Sequence, residues 1–504
     1  MKSFNTEVVC NPKKHYMVDI SEKVDRIINK YVENEKYFSI NRGRQYGKTS
    51  MLRALSRRLG EKYYCLSISL AWSNAIFASD FQLVTGFIQR VSKAMRQIHM
   101  PEEVIRSWGL AVDAGDPFAG LDARITELCA NSDREIILMI DEADRASDNQ
   151  RMLQLLELLR DKYIAREDGM DQTFKSVILA GVYDIKNLKI RIRPEAEHRY
   201  NSPWSVPIRA ENRERRPALR QRRTIMAGSP WTVAAEFDED PSFSAADIAG
   251  MLQEYENDHQ TGMDIQIVSE MIYAYTSGYP VLVSAICKRV DENVAGTARF
   301  PDCKAAWTRE GIVAATRMVE NSNMSLLEDM IKQLKDYPAL KDSLRGILFE
   351  GETVAFNNHN EVLNLARMFD YIKPVDGQVA VSNRIFEVVL YDYFLSEEEI
   401  DNATKKDAEL NKSQFIKDGR LDMEALLLRF AEHYAYVYTD NDQKFVEKYA
   451  RKIFLMYLKP VINGTGNYYI EAQTRDQKRS DIIVDYHGEQ FLIETKIWNG
   501  PKSN

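Results

Sequence analysis

The sequence predicts a doubly wound α/β domain with a mainly parallel sheet, followed by helical and mixed regions. Three observations carry that expectation. A short β-type segment, residues 37–40, runs through a polar turn into a helical pattern with Met51, Leu52, Leu55 and Leu59 on one face. Five successive apolar residues, Ile136 to Ile140, end at once in Asp141 and Glu142, as a doubly buried strand ends at the ligand edge of an open parallel sheet. Strand and helix patterns then alternate to about residue 240, which is how crossover-connected parallel strands read in sequence.

The turn after the first strand has its own chemistry. Gly43, Arg44, Gln45, Tyr46, Gly47, Lys48, Thr49 and Ser50 lead into the helix, where successive backbone N–H groups at a helix N-terminus attract phosphate oxygens. Lys48 adds a point charge for β and γ phosphates, and the Thr49 hydroxyl is suited to ligate Mg²⁺. The GxxxxGK[ST] pattern puts its first glycine where this chain has Arg42, and Gly43 comes one place late. Gly-Lys-Thr after a strand is also an ordinary helix start, so the acid-tipped strand decides between the two. Asp141 would hold the Mg²⁺ through water, and Glu142 would orient and polarise the attacking water. Taken in this order the two elements predict a P-loop NTPase fold using a nucleoside triphosphate and Mg, with Lys48 and Glu142 in catalysis.

Length and composition bound the rest. A chain of 504 residues suggests about three domains, and 44% hydrophobic with 28% charged residues is ordinary for a globular protein. The formal net charge of −8 gives no global attraction to nucleic acid, so any such contact needs a local basic surface. Five scattered cysteines without a CxxC pair argue against a disulfide framework or zinc cluster and for a reducing compartment. No apolar run approaches about 18 residues and the N-terminus has no signal-peptide core, so the expected location is cytoplasmic, without membrane.

In chain order, residues 11–36 begin with Pro12 to Ser21 and continue as an amphipathic helical pattern (Val24, Ile27, Ile28, Tyr31, Val32) leading to the first strand. Upstream of it Tyr16, Met17 and Val18 are candidates for adenine contact, with helix capping and packing as the equally weighted alternative. Residues 62–70 and 174–184 read as further strands, the latter exiting at Tyr183 and Asp184 where a γ-phosphate sensor would stand. Residues 201–206 are echoed by residues 228–233. The arginine-dense stretch between them (Arg209, Arg213, Arg215, Arg216, Arg220, Arg222, Arg223) reads first as a solvated loop and second as a nucleic-acid contact.

The expected domains are 1–240 with an insertion at 205–230, a helical lid at 241–300, a winged-helix-like region at 301–396, a linker at 397–415 and a last domain at 416–504. The wing is two short strands around Asp376 and Gly377; without a basic helix face it reads as a spacer rather than a DNA reader. In the last domain Asp481 opens one strand, and Glu494 and Lys496 lie two apart on the next, hence on one strand face. That arrangement converges two acids on a divalent ion beside a lysine, the PD-(D/E)XK nuclease pattern, with Glu447 as an extra acid from a preceding helix. Alternating charges on a half-exposed strand also produce ExK; the upstream Asp481 and hairpin spacing favour the nuclease fold.

Nearly the whole chain resembles AAA-ATPase-like proteins with a C-terminal PD-(D/E)XK nuclease domain. The resemblance is carried by residues 15–20, 38–49, Asp141 with Glu142, residues 201–204, 278–280, 382–386 and 493–498. It implies an arginine-rich phosphate loop in place of the strict glycine pattern, Mg-ATP at Lys48, Thr49, Asp141 and Glu142, and a metal-dependent nuclease site at Asp481, Glu494 and Lys496. An arginine finger would fall at Arg193 or Arg199. Since such nuclease folds continue with a helix and a strand beyond this point, a chain ending at Asn504 is expected to carry a truncated one. Nucleic acid, DNA ahead of RNA, and a second copy of the chain are the partners these features admit. The competing reading is a nucleotide-dependent interaction switch whose C-terminal region is a non-catalytic docking module.

Overall fold

The computed structural model describes residues 2–7, 9–70, 74–143, 150–182, 190–191, 226–227, 231–349, 354–357, 359–397, 414–417, 419–437, 454–455, 457–459, 461–462, 466–471, 480–486 and 489–495. The chain divides into two compact units, Asp19–Pro241 on the one hand and Met1–Val18 with Ser242–Asn504 on the other.

In the first unit β1 (Phe38–Asn41), β2 (Tyr64–Ser69), β3 (Ile136–Asp141) and β4 (Ser176–Gly181) form a wholly parallel sheet in the order β1-β4-β3-β2. On the edge of β1 that β4 leaves open, Ala235 makes a parallel bridge to Phe38 and donates its N–H to Tyr37 O at 2.7 Å. The chain leaves β1 for the far edge of the sheet and then steps back strand by strand. Right-handed crossovers in opposite directions put the connecting helices on opposite faces.

One face accordingly carries α1 (Ser21–Ile27), a π turn (Ile28–Val32) and α2 (Lys48–Leu59). The other carries α3 (Asp80–Gln97), α4 (Glu102–Trp108), α5 (Pro117–Asn131) and α6 (Gln150–Glu167). The alternation of β3 splits between them. Ile137 and Met139 share a core with Leu52 and Leu55, whereas Ile136, Leu138 and Ile140 share one with Phe87 and Leu121. All five are buried, each contributing roughly 1.5–3 kcal/mol, which is why this run has no polar face. A two-residue pair, β5 (Ile190–Arg191) with β6 (Met226–Ala227), is antiparallel. Tyr183, Asp184, Arg193, Arg199 and the arginine-dense stretch 209–223 lie outside the described residues.

The second unit is largely helical. It begins with α7 (Ala245–His259), α8 (Ile265–Thr276) and α9 (Pro280–Arg289), each start set by local chemistry: a Ser244–Asp247 capping box, an Asp264 cap, and Pro280 in the first turn. Gly278 between α8 and α9 has φ +74°, and a Cβ there would stand 1.8 Å from Phe243 O, so only glycine fits. After α10 (Cys303–Ala306), α11 (Arg309–Glu320), α12 (Ser325–Asp336), α13 (Pro338–Phe349) and α14 (Glu361–Met368) comes a hairpin of β7 (Ile372–Val375) and β8 (Gln378–Val381). Its turn residues Asp376 and Gly377 have φ 49° and 77°, the doubly left-handed turn that matches strand twist. α15 (Arg384–Glu397) follows directly.

Beyond it the two-residue strands β9 (Ile416–Lys417) and β10 (Arg420–Leu421) precede a helix (Met423–Val437). A three-stranded antiparallel sheet of β11 (Gly466–Glu471), β12 (Ser480–Tyr486) and β13 (Glu489–Thr495) comes after it. Among the described residues no helix is long and apolar enough to cross a membrane.

One boundary differs from the sequence expectation. Residues 1–18, read there as the start of the phosphate-loop domain, pack in the second unit. Tyr16 shows the reason: its ring lies 5.1 Å from that of Phe4 and 5.2 Å from that of Tyr255, and its hydroxyl donates to Asp258 Oδ2 at 2.8 Å. The residue is 2% exposed, and burial pushes its hydroxyl pKa up. An aromatic side chain with a polar tip finds in that cluster both the apolar contact and the acceptor it needs.

Candidate phosphate-loop site

The site gathers at the C-terminal ends of β1, β2 and β3. Leaving β1, the loop turns left-handed at Gln45 (φ 57°) and Gly47 (φ +80°), and α2 starts at Lys48. A Cβ at Gly47 would meet nothing within 4 Å, so conformation, not space, asks for glycine. Gly47 brings no capping side chain to the helix start, and the positive end of the helix dipole faces the loop. The Lys48 ammonium folds back into the loop, donating to Arg42 O at 2.8 Å and Gly43 O at 2.6 Å.

One residue further into α2, the Thr49 hydroxyl donates to Asp141 Oδ2 at 2.6 Å. These two residues are 92 positions apart in sequence, and they meet because β1 and β3 flank β4 in the sheet. The other Asp141 oxygen, Oδ1, accepts from the Glu142 N–H at 2.9 Å. Glu142 itself has φ 55°, a left-handed conformation uncommon for a side-chain-bearing residue. Strain of this kind costs on the order of 1–3 kcal/mol and concentrates where a side chain must be aimed. The Glu142 carboxylate accepts from the Ser69 hydroxyl at 3.3 Å.

Ser69 is the residue that sequence reading missed. It stands in register with Asp141 at the end of β2, and its only signal was its place as a polar residue closing an apolar strand. Arg42, where the common pattern has glycine, is anchored rather than loose. Its N–H reaches Gly181 O at 3.3 Å, and its guanidinium donates to Asn41 O at 3.0 Å and Glu239 O at 3.2 Å.

The structure thus sets Thr49 against Asp141, with Glu142 next to Asp141 and Lys48 next to Thr49 at the start of α2, and Gly43, Arg44, Gln45, Tyr46, Gly47 and Ser50 in the loop and first turn beside them. Tyr16 and Met17 belong to the other unit, Tyr16 in the aromatic cluster above and Met17 half-buried. One hydroxyl and one carboxylate are hard oxygen donors of the type Mg²⁺ takes when phosphate and water complete its shell, so these residues fit that ion.

The second candidate site is defined by backbone register alone. Asp481 on β12 pairs with Glu494 on β13 and, on the other side, with Glu471 on β11, which puts three carboxylate-bearing positions in one row across the sheet. Lys496 and Glu447 lie outside the described residues.

A parallel sheet covered by helices on both faces, with a lysine-tipped loop after β1 and an acid-tipped β3, defines an α/β domain that carries a candidate phosphate loop. No protein-family model matches the chain, and no curated protein does. Among solved structures it is similar to the Walker-type ATPase PABY2304 of Pyrococcus abyssi, at 15% identity and TM-score 0.44, covering 77% of this chain and 99% of that one. It is also similar to the Aeropyrum pernix ORC2 protein in ADPNP-ADP complexes, at 11% identity and TM-score 0.38, covering 74% and 93%. A third is the Aeropyrum pernix ORC1 protein in complex with DNA, at 12% identity and TM-score 0.32, covering 75% and 93%. Likenesses at that level carry no argument about residues or activity.

Proposed function

We propose that this chain binds and hydrolyses Mg-ATP at the crevice between the phosphate loop and β3. The observation that carries the reading is the 2.6 Å contact between Thr49 and Asp141, which joins the hydroxyl after the loop lysine to the acid at the tip of the buried strand. On nucleotide binding the Lys48 ammonium exchanges the carbonyls of Arg42 and Gly43 for β and γ phosphate oxygens, a charge-assisted contact replacing two neutral acceptors. Glu142, held by Ser69, orients a water for in-line attack on the γ phosphorus. The water oxygen bonds to phosphorus, the bond to the bridging oxygen breaks, and ADP and inorganic phosphate leave with the water's proton on the phosphate or the Glu142 carboxylate. Thr49 and Asp141 would hold Mg²⁺, which would supply neutralisation of the charge on the transferring group.

We assign the C-terminal sheet, with Asp481, Glu494 and Lys496, as a PD-(D/E)XK nuclease-like module acting on nucleic acid, DNA ahead of RNA. Its support is the register that sets Asp481 opposite Glu494. The lid-like role of α7–α9 and the winged-helix-like role of the β7–β8 hairpin with α15 belong to the same proposal. ATP turnover tests the first assignment. Lys48→Ala should abolish Mg-dependent hydrolysis, and Glu142→Gln should slow it about 100-fold or more while leaving nucleotide binding intact. Parent-like turnover in both variants overturns the site.

A further inference from the structure

Arg42 lies at a junction. It follows β1 directly, its N–H extends the pairing with β4 at Gly181 O, its carbonyl accepts from the Lys48 ammonium, and its guanidinium donates to the carbonyls of Asn41 and Glu239. Glu239 is two residues before Pro241, where the chain leaves this unit for the other. The strand of chain around it is otherwise fastened from the α1 side: Arg26 pairs with the Glu239 carboxylate at 3.2 Å, and Lys30 and the Tyr31 hydroxyl hold the Asp238 carboxylate. The Arg42 guanidinium is therefore a direct hydrogen bond from the phosphate loop to this exit segment. A glycine at position 42, as in the common pattern, could not make it.

We propose that Arg42 is a positioning residue that couples occupancy of the phosphate loop to the exit segment 236–241. The inference rests on the nucleotide reading above and goes beyond it. Without nucleotide, Lys48 holds the carbonyl of Arg42 from inside the loop. When a phosphate draws the ammonium away, the loop backbone orders around the anion instead, and the change reaches Glu239 through the planar guanidinium fork. Lysine cannot reproduce that link, because a single ammonium lacks the fixed two-direction geometry needed to hold Asn41 O and Glu239 O together.

The test is hydrogen–deuterium exchange on the full chain with and without Mg-ADPNP, alongside a direct titration of that nucleotide. In the parent, nucleotide should slow exchange over residues 236–241 by about threefold or more. Arg42→Gly, which restores the common loop pattern, should still bind ADPNP but lose the response at 236–241. Arg42→Lys should likewise bind and lose the response, and it carries the test if Arg42→Gly melts early. A parent that binds ADPNP without any change at 236–241, or variants that respond as the parent does, overturns the coupling while leaving the phosphate-loop reading standing. A parent that binds no ADPNP overturns that reading and the coupling with it.

Discussion

Lys48→Ala can be read without an activity assay, because the structure gives the lysine one set of partners in the free protein and the proposed function gives it another. In the free chain the ammonium bonds two loop carbonyls, and Gly43 is buried. Hydrogen bonds to a charged group contribute about 1.5–3 kcal/mol each when shielded. Here Lys48 is only half-buried and water can replace it in part, so the variant should lose on the order of 1–2 kcal/mol of stability without nucleotide. The larger difference is in the ligand response. At a nucleotide concentration of about 100 Kd the parent gains roughly 2.7 kcal/mol, which for a unit of this size corresponds to about 5–10 °C in Tm. Removing a charge that meets two phosphates should weaken binding about 100-fold. The ligand gain then falls to roughly 0.4 kcal/mol, or about 1 °C. Thermal melts of parent and variant at matched Mg-ADPNP concentrations measure both numbers. A Lys48→Ala protein that keeps the parent's nucleotide shift would refute the placement of phosphate at this loop.

The remaining expectations concern the second unit. Plasmid cleavage in Mg²⁺ or Mn²⁺ should disappear in Asp481→Ala and in Lys496→Ala; cleavage persisting in both would place the activity elsewhere or in a contaminant. Glu320, at the end of α11, is pushed up to about 8 by burial and by the neighbouring Asp392 carboxylate, with Arg317 opposing. Because its folded-state value lies above the ordinary 4.5, the folded protein holds this proton longer than the unfolded chain does. Its contribution to stability is therefore complete below pH 4.5, declines as pH rises, and is gone above about pH 8. Glu320→Gln, which does not titrate, should gain on the parent across that window by on the order of 1–3 kcal/mol, discounted for partial exposure. Chemical denaturation at pH 5 and pH 8.5 measures it, and an equal difference between the two proteins at both values would show that Glu320 does not carry the effect.

Much of the first unit was legible because its signals are local. The strand at residues 37–40, the helix from Lys48 and the apolar run ending in Asp141 appear as β1, α2 and β3 within a residue or two. A buried strand announces itself by having no polar side, and a left-handed glycine before a helix needs only its neighbours. The hairpin at Asp376 and Gly377 was readable for the same reason, since turn conformation is a property of two residues.

The N-terminal segment was not legible in this way. Whether Tyr16 meets a ligand or a core depends on which distant aromatic rings and carboxylates surround it, and Phe4, Tyr255 and Asp258 carry no local mark of that meeting. Ser69 escaped for a related reason: its partner Glu142 lies 73 positions away, and only the pairing of β2 with β3 brings them side by side.

By itself, then, the sequence determined the local elements β1, α2 and β3 and which residues are candidates for phosphate contact, because periodicity and turn preference are written in runs of a few residues. Only the tertiary structure decided that Thr49 touches Asp141, that Ser69 holds Glu142 and that Arg42 is tied to the exit segment. Those contacts are fixed by strand order and crossover direction. Both arise from the packing of whole layers against each other, a sum over many side chains that no short stretch contains.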